Sequence, residues 1–339
     1  MSTEKKIRTA VVGVGIGRLH IEGYKKHKDA ELVAVADINE ERAKAAAEEF
    51  EIPYVYADYE KMLKELDLDA VSVCTPNKLH TPVTVAAFEA GCHVLCEKPI
   101  AMNAVDGQKM VDAGKKAGKT FMMAFNNRFR GDTQVLKSFI DNGTLGEIYY
   151  AKCGWTRRRG IPGFGGWFTT KELSGGGPLI DIGVHVLDLT LYLMGNPKPV
   201  SVFGSTYAKF GPKMPGGEKY DVEDLGTGMI KFENGATVFV EASWASNIAN
   251  DQFYSTLLGD KGGADLDPLR IYTEMNGTQV DIHPQFPGIN GHQAEVFHFV
   301  ECLRDGKTPL ATGEHGLDVV KILDALYESS ESGKMVTCA

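Results

Sequence analysis

Ile7-Arg8-Thr9-Ala10-Val11-Val12-Gly13-Val14-Gly15-Ile16-Gly17 is the stretch that decides the fold. Its first six residues are a short, β-branched apolar run, which reads as a strand buried on both faces. The glycines then impose a tight turn, and Arg18 to Lys26 follows with apolar Leu19, Ile21 and Tyr24 suited to a helix. A second buried strand, Leu32 to Ala36, ends at Asp37, 20 positions beyond Gly17. Strand, glycine turn, helix and acid on that schedule make a dinucleotide cradle. The turn lets backbone approach a pyrophosphate, the helix N-terminus offers free amides, and the acid accepts from ribose hydroxyls. Gly13, Gly15, Ile16, Gly17 and Asp37 are therefore the expected cofactor contacts. Asp37 repels a 2′-phosphate, so NAD is expected ahead of NADP, with Arg42 close enough to soften the preference. The third glycine comes one residue early, since the usual spacing would place it at Arg18.

The alternation continues. Asn39 is placed to cap a helix over Glu40 to Phe50, and Tyr54 to Ala57 reads as a strand. Ala70 to Cys74 is a further strand, emptying into Thr75-Pro76-Asn77-Lys78-Leu79-His80 before a helix from Pro82 to Ala90. His93-Val94-Leu95-Cys96 leads into Glu97-Lys98-Pro99, and a helix over Val105 to Ala117 precedes the strand Phe121 to Phe125. Such alternation predicts a parallel, doubly wound Rossmann sheet over residues 1–125. Ligands of such sheets bind beyond the carboxyl ends of the strands, which puts Thr75, Pro76, Asn77, His80, Glu97 and Lys98 beside the cofactor. His80 taken alone reads more readily as a helix-start residue. Lys98 is a poor packing choice and a good chemical one, and Pro99 restricts it to extended backbone.

Residues 126–339 change texture and are expected to form an α+β domain around an open, largely antiparallel sheet. Glu147 to Arg159 and Val200 to Thr278 are β-rich runs broken by turns, among them Asn234-Gly235 between two short apolar runs, a hairpin signal. Two late helices, His292 to Arg304 and Glu314 to Ser330, close the chain. Within it, Gly175-Gly176-Gly177-Pro178 introduces a helix over Leu179 to Met194 that is apolar except at Asp181, His185, Asp188 and Thr190. Asp181, His185 and Asp188 follow helical steps and share a face. Burying two acids and an imidazole costs several kcal/mol unless they pair or reach a polar cleft. A structural network and a functional one both fit that pattern; together with Lys98, the functional one is the stronger.

A formal net charge of −9 over 339 residues argues against a nucleic-acid partner, and no apolar run spans a bilayer. The six cysteines lack the paired spacing of zinc ligands, so no metal site is expected, and reduced thiols in the cytoplasm are the expected state.

These residues resemble the glucose–fructose oxidoreductase/inositol dehydrogenase (Gfo/Idh/MocA) family over nearly the whole chain. The resemblance rests on the glycine turn, Thr75-Pro76-Asn77 with His80, Glu97-Lys98-Pro99, and Gly-Gly-x-x-x-Asp-x-Gly-x-His-x-x-Asp ending at Asp188. It implies that Lys98, Asp181 and His185 form the catalytic group, that Pro99 is cis, and that open sheets pair into homodimers or homotetramers. Asn126, Arg128 and Asp188 are further candidates for substrate contact. Trp155, Arg157 and Arg159 share a face if their segment is a strand, where they would stack on and hydrogen-bond a sugar; a solvated charge run or an oligomer contact fits equally. Trp167, in a loop with Phe168, is a candidate wall of the same site. The expected activity is NAD-dependent oxidation of a secondary hydroxyl on a sugar or cyclic polyol. The alternatives are a redox-neutral sugar-modifying enzyme that retains NAD and a nucleotide-sensing regulatory module.

Overall fold

The buried apolar runs pair side by side as a parallel sheet. The structure is a computed structural model that describes residues 5–338. β1 (Ile7–Val12), α1 (Gly17–Lys26), β2 (Ala30–Ala36), α2 (Glu40–Phe50), β3 (Tyr54–Tyr56), α3 (Tyr59–Glu65), β4 (Ala70–Val73), α4 (His80–Glu89), β5 (His93–Glu97), α5 (Ala104–Ala117) and β6 (Phe121–Ala124) follow in order. The strands lie as β3-β2-β1-β4-β5-β6, all parallel, so the order reverses between β1 and β4. That reversal is the switch point at which such sheets bind ligands. Asn39, Asp58 and Asn103 cap α2, α3 and α5 by accepting from first-turn amides. The short helix α3 was not expected from the sequence.

A second group of elements follows: α6 (Gly131–Asp141), β7 (Ile148–Thr156), α7 (Lys171–Ser174), α8 (Val184–Leu193), β8 (Pro199–Tyr207), β9 (Leu225–Phe232), β10 (Thr237–Ser243), β11 (Gln252–Gly259), β12 (Gly262–Leu266), β13 (Leu269–Met275) and β14 (Thr278–Ile282). With β15 (Val336–Thr337) its strands form a sheet ordered β14-β13-β12-β11-β7-β10-β9-β8-β15. Only β7 and β10 pair in parallel, and the Asn234-Gly235 turn joins antiparallel β9 and β10 as the sequence foretold. Gly204 and Gly228 make room for Leu326, whose side-chain carbons would lie 2.7–2.8 Å from any added Cβ.

The chain divides into two compact units, 1–126 with 290–317 and 127–289 with 318–339. The sequence places one boundary at 125/126; in the structure α9 (Gly291–Asp305) and the start of α10 (Gly313–Ser332) group with the first unit. Packing explains the return. Gly23 of α1 has space only for hydrogen, since a Cβ there would lie 2.7 Å from Val296. The amide of Met123 donates to Ala311, and Thr312 bridges Met122, so the outer edge of β6 is covered.

Two further expectations change. The helix expected over Leu179 to Met194 opens with a π-helical turn at Leu179–Gly183, with Gly183 pressed against Ala242 of β10, before α8 begins. The strand expected to Arg159 ends at Thr156, and Arg159 makes only an isolated bridge to Ala245. Cys74, Cys92, Cys96, Cys153 and Cys302 are buried free thiols. Among the described residues no helix is long and apolar enough to cross a membrane.

Candidate active site

In the first unit the shortened glycine turn divides its tasks cleanly. Gly13 has φ +92° and sits so close to Cys74 that a Cβ would lie 2.4 Å from its carbonyl oxygen. Gly17 opens α1 against β1, where a Cβ would meet Val11 at 2.8 Å. Gly15 faces open space, and Ile16 beside it is exposed. One residue fewer therefore preserves the three roles of tight turn, open approach and close helix packing. The first turn of α1 holds neither an acid nor a side-chain cap. The Arg18 and Leu19 amides donate back to the Gly15 and Ile16 carbonyls, and no side chain covers the end of the helix.

Asp37 ends β2 beneath this turn. Its Oδ2 accepts the Val14 amide at 2.8 Å and its Oδ1 the Asn39 amide at 2.9 Å, while Arg42 forms a bidentate pair with both oxygens. Burial alone would raise the Asp37 carboxyl, but Arg42 and the two amides outweigh it and hold it below the usual range.

At the ends of β4 and β5 the loops are tied together by His80. Its Nδ1 lies 2.7 Å from the Pro99 carbonyl oxygen and its Nε2 2.9 Å from that of Thr75. His80 is buried, which lowers its pKa, and both its ring nitrogens face backbone. Its position is that of a brace between the two loops. Asn77 is buried, Pro76 exposed, and the Oγ1 of Thr75 is buried without a described hydrogen-bond partner. Glu97 is buried, Lys98 half-buried, and the Lys98–Pro99 peptide is cis. Asn126 meets His292, with Nδ2 3.2 Å from Nε2.

In the second unit the triglycine turn is fixed by Glu223, which the sequence reading missed. Its carboxylate accepts the amides of Gly177 (2.8 Å) and Leu179 (3.1 Å) and the Tyr327 hydroxyl (2.9 Å). From Leu179 to Leu193 only Asp181 and His185 escape full burial. Trp244, wholly buried, donates its Nε1–H to Asp181 Oδ2 at 3.0 Å. The His185 ring lies 5.8 Å from that of Trp155, and the Arg157 guanidinium stacks 5.0 Å above the same indole. Trp155, Arg157 and His185 are thus brought together, with Phe253 edge-on at 5.4 Å.

Asp188 and Arg128 part from this group. They form a buried bidentate ion pair, Nη2–Oδ1 2.6 Å and Nε–Oδ2 3.0 Å, with Arg128 wholly buried over Tyr192. The structure turns Arg128, expected at the substrate, into the fold, where Asp188 matches its charge. Arg159 likewise turns away from Arg157. It stacks on Phe210 and donates to the Ser246 carbonyl and Asn247 side chain. Trp167 stacks on Phe168 at 3.8 Å between ring centres, both half-buried. A signal for Glu223 and Trp244 existed in the sequence: each flanks a strand end, where loop residues reach a site.

Comparison with known proteins agrees with the folds of the two units. Residues 7–125 match the model of an oxidoreductase family with an NAD-binding Rossmann fold, and residues 133–265 match the GFO/IDH/MocA C-terminal domain. The chain is 39% identical to D-glucoside 3-dehydrogenase of Escherichia coli, covering 98% of each chain. It is 31% identical to scyllo-inositol 2-dehydrogenase (NAD(+)) of Bacillus subtilis over 91% of this chain and 90% of that one. Among solved structures, aldose-aldose oxidoreductase from Caulobacter crescentus, complexed with glycerol, aligns with a TM-score of 0.84 at 28% identity, covering 98% of this chain and all of the other.

Proposed function

The chain belongs to the GFO/IDH/MocA family of oxidoreductases, and from that premise we propose that it is an NAD-dependent dehydrogenase oxidising a secondary hydroxyl of a sugar or cyclic polyol, and reducing the ketone in reverse. Within that class we assign a D-glucoside oxidised at carbon 3, on the strength of the similarity to the Escherichia coli enzyme. The observation that carries the reading is the confinement of exposure on a mostly apolar helical segment to Asp181 and His185.

The cradle suits NAD: Gly13, Gly15 and Gly17 shape the phosphate turn, Asp37 lies at the ribose position, and Thr75, Asn77 and Lys98 end the neighbouring strands. Bound NAD supplies the hydride acceptor. His185 removes the hydroxyl proton as the carbinol C–H electron pair departs as hydride, leaving a carbonyl. An imidazole titrates near neutrality, and general-base help of this kind is worth about 10²–10⁴-fold. Lys98 donates a hydrogen bond to the same oxygen as negative charge builds there. Asp181, steadied by Trp244, orients the substrate, and the stacked Trp155–Arg157 pair offers a flat face and a guanidinium to the ring and its hydroxyls.

Lys98→Ala and His185→Ala, assayed on a glucoside and polyol panel by NADH absorbance, should each lower kcat by about 10²–10⁴-fold while NADH still binds. Near-normal rates in both variants would remove the assignments. Turnover of sugar with no net NADH would replace the dehydrogenase by a redox-neutral enzyme.

The homo-oligomer expected from the family takes the open face of the second sheet. Phe203, Met229 and Phe239 stand in register across β8, β9 and β10, with Phe203 47% and Phe239 43% exposed. Phe239→Asp should shift the mass measured by light scattering from dimer or tetramer to monomer; an unchanged mass would place the interface elsewhere.

A further inference from the structure

Two carboxyl groups lie buried together in the first unit beside Lys98, outside the groups given roles above. Glu97 ends β5 and Glu295 lies on α9; with His20 of α1, one side-chain atom from each falls within 4.8 Å of the others. All three residues are buried, Glu295 completely. Donors meet both oxygens of Glu97: His20 Nε2 stands 3.2 Å from Oε1, and the Lys98 amide donates to Oε2 at 3.2 Å. His20 is itself held, its Nδ1 3.0 Å from the Ser72 hydroxyl, which Tyr24 reaches at 2.7 Å.

Glu295 is placed differently. Its Oε1 lies 3.3 Å from His292 Nδ1, while its Oε2 is buried with no described hydrogen-bond partner. An ionised Glu295 would leave a charged oxygen unmatched and out of water, with a second carboxylate close by. A proton on Oε2 removes both penalties.

We infer that Glu97 is the sole anion of this cluster and a positioning residue for Lys98, with Glu295 held beside it as a neutral carboxylic acid. The role of Lys98 rests on the dehydrogenase reading; the protonation of Glu295 does not. Burial, and then Glu97, push the Glu295 carboxyl well above the usual range. Burial acts on Glu97 too, but the His20 hydrogen bond, followed by the charges of His20, Lys98 and His292, brings it below its ordinary value. Tyr24, Cys74 and Cys96 around the pair add no charge of their own. Tyr24 and Cys74 are pushed up by burial, and His292 is pushed down by it.

The test uses the full chain and the variants Glu295→Gln and Glu97→Gln. Infrared difference spectra of wild type against Glu295→Gln should show the carbonyl stretch of a buried carboxylic acid in wild type alone, a measurement that needs no substrate. Glu295→Gln should keep the wild-type pH profile, because an amide replaces a neutral acid. In Glu97→Gln kcat should shift down by about tenfold with KM nearly unchanged, since the charged acceptor that holds the Lys98 backbone by its amide is gone. No acid band, or an equal shift in Glu295→Gln, would overturn the inference. So would a stoichiometric metal ion in the wild type that is lost in Glu295→Gln, which would make the cluster a cation site. If no sugar or polyol is turned over, the dehydrogenase reading fails while the infrared band still decides the charge of Glu295.

Discussion

Two helical segments of this chain start from glycine turns, and they differ in where the balancing negative charge comes from. At Gly13-Val14-Gly15-Ile16-Gly17, α1 begins with no acid and no side-chain cap, and Gly15 faces open space. At Gly175-Gly176-Gly177-Pro178, Glu223 fills the corresponding place and receives the Gly177 and Leu179 amides. Both helix starts present unsatisfied amides and a partial positive charge. In one an acid of the chain answers them; in the other no side chain does. On the NAD reading proposed above, the same residue type serves binding in the first unit and framing in the second.

The sharpest way to break this contrast is to fill the second turn. A Cβ on Gly177 would lie 2.1 Å from the Glu223 carbonyl oxygen, so backbone must move. Gly177→Ala should cost about 3 kcal/mol or more, as strained core insertions do, read as a lower denaturation midpoint. Glu223→Ala should cost a similar amount, since it strands two buried amides and the Tyr327 hydroxyl at about 1–3 kcal/mol each before relaxation. Either variant at wild-type stability would show that the turn does not depend on its internal acid. The first turn should respond in the opposite manner. A Cβ at Gly15 meets nothing within 4 Å, so Gly15→Val should leave the denaturation midpoint nearly unchanged. It should weaken NADH binding by tenfold or more, about 1.4 kcal/mol, by titration calorimetry. Equal NADH affinity would sever that turn from the cofactor.

How far the sequence could be read follows from the same contrast. The parallel sheet was legible because buried strands and capped helices are local patterns, and Asn39 before Glu40 marks a boundary by itself. The glycine turn was legible because all its parts lie within thirty or so residues of one another. His185 and Asp181 stood out as polar exceptions on an apolar helix. What escaped were the partners that arrive from afar. Glu223 reaches Gly177 across 46 positions, Trp244 reaches Asp181 across 63, and Asp188 is claimed by Arg128 across 60. The return of α9 to the first unit is of this kind too, announced only by one glycine, Gly23, packing against Val296. Arg159 was misplaced for a different reason. Its alternation with Trp155 and Arg157 holds only while a strand continues, and β7 stops at Thr156.

Asp37 gives the smallest and most discriminating test, because there the first turn borrows an internal charge as well. A carboxylate has about four lone-pair sites. Amides of Val14 and Asn39 take two of those on Asp37, and Arg42 covers the rest. On the proposed NAD reading, ribose hydroxyls arriving at Asp37 must therefore displace Arg42. The Arg42 side chain is half-exposed although Asp37 is buried, and solvent screening of the guanidinium holds the pair to about 1 kcal/mol, so displacement costs little. The same guanidinium would welcome a 2′-phosphate while Asp37 repels it, which puts the two residues in opposition over NADP. Removing Arg42 leaves only the repulsion. Arg42→Ala should tighten NAD by up to about fivefold, the whole value of that pair, and weaken NADP, in kcat/KM measured with both cofactors. A variant that gains on NADP, or loses on NAD, would mean that Arg42 holds Asp37 in its working position rather than competing for it. The first turn would then rely on an internal counter-charge as the second does.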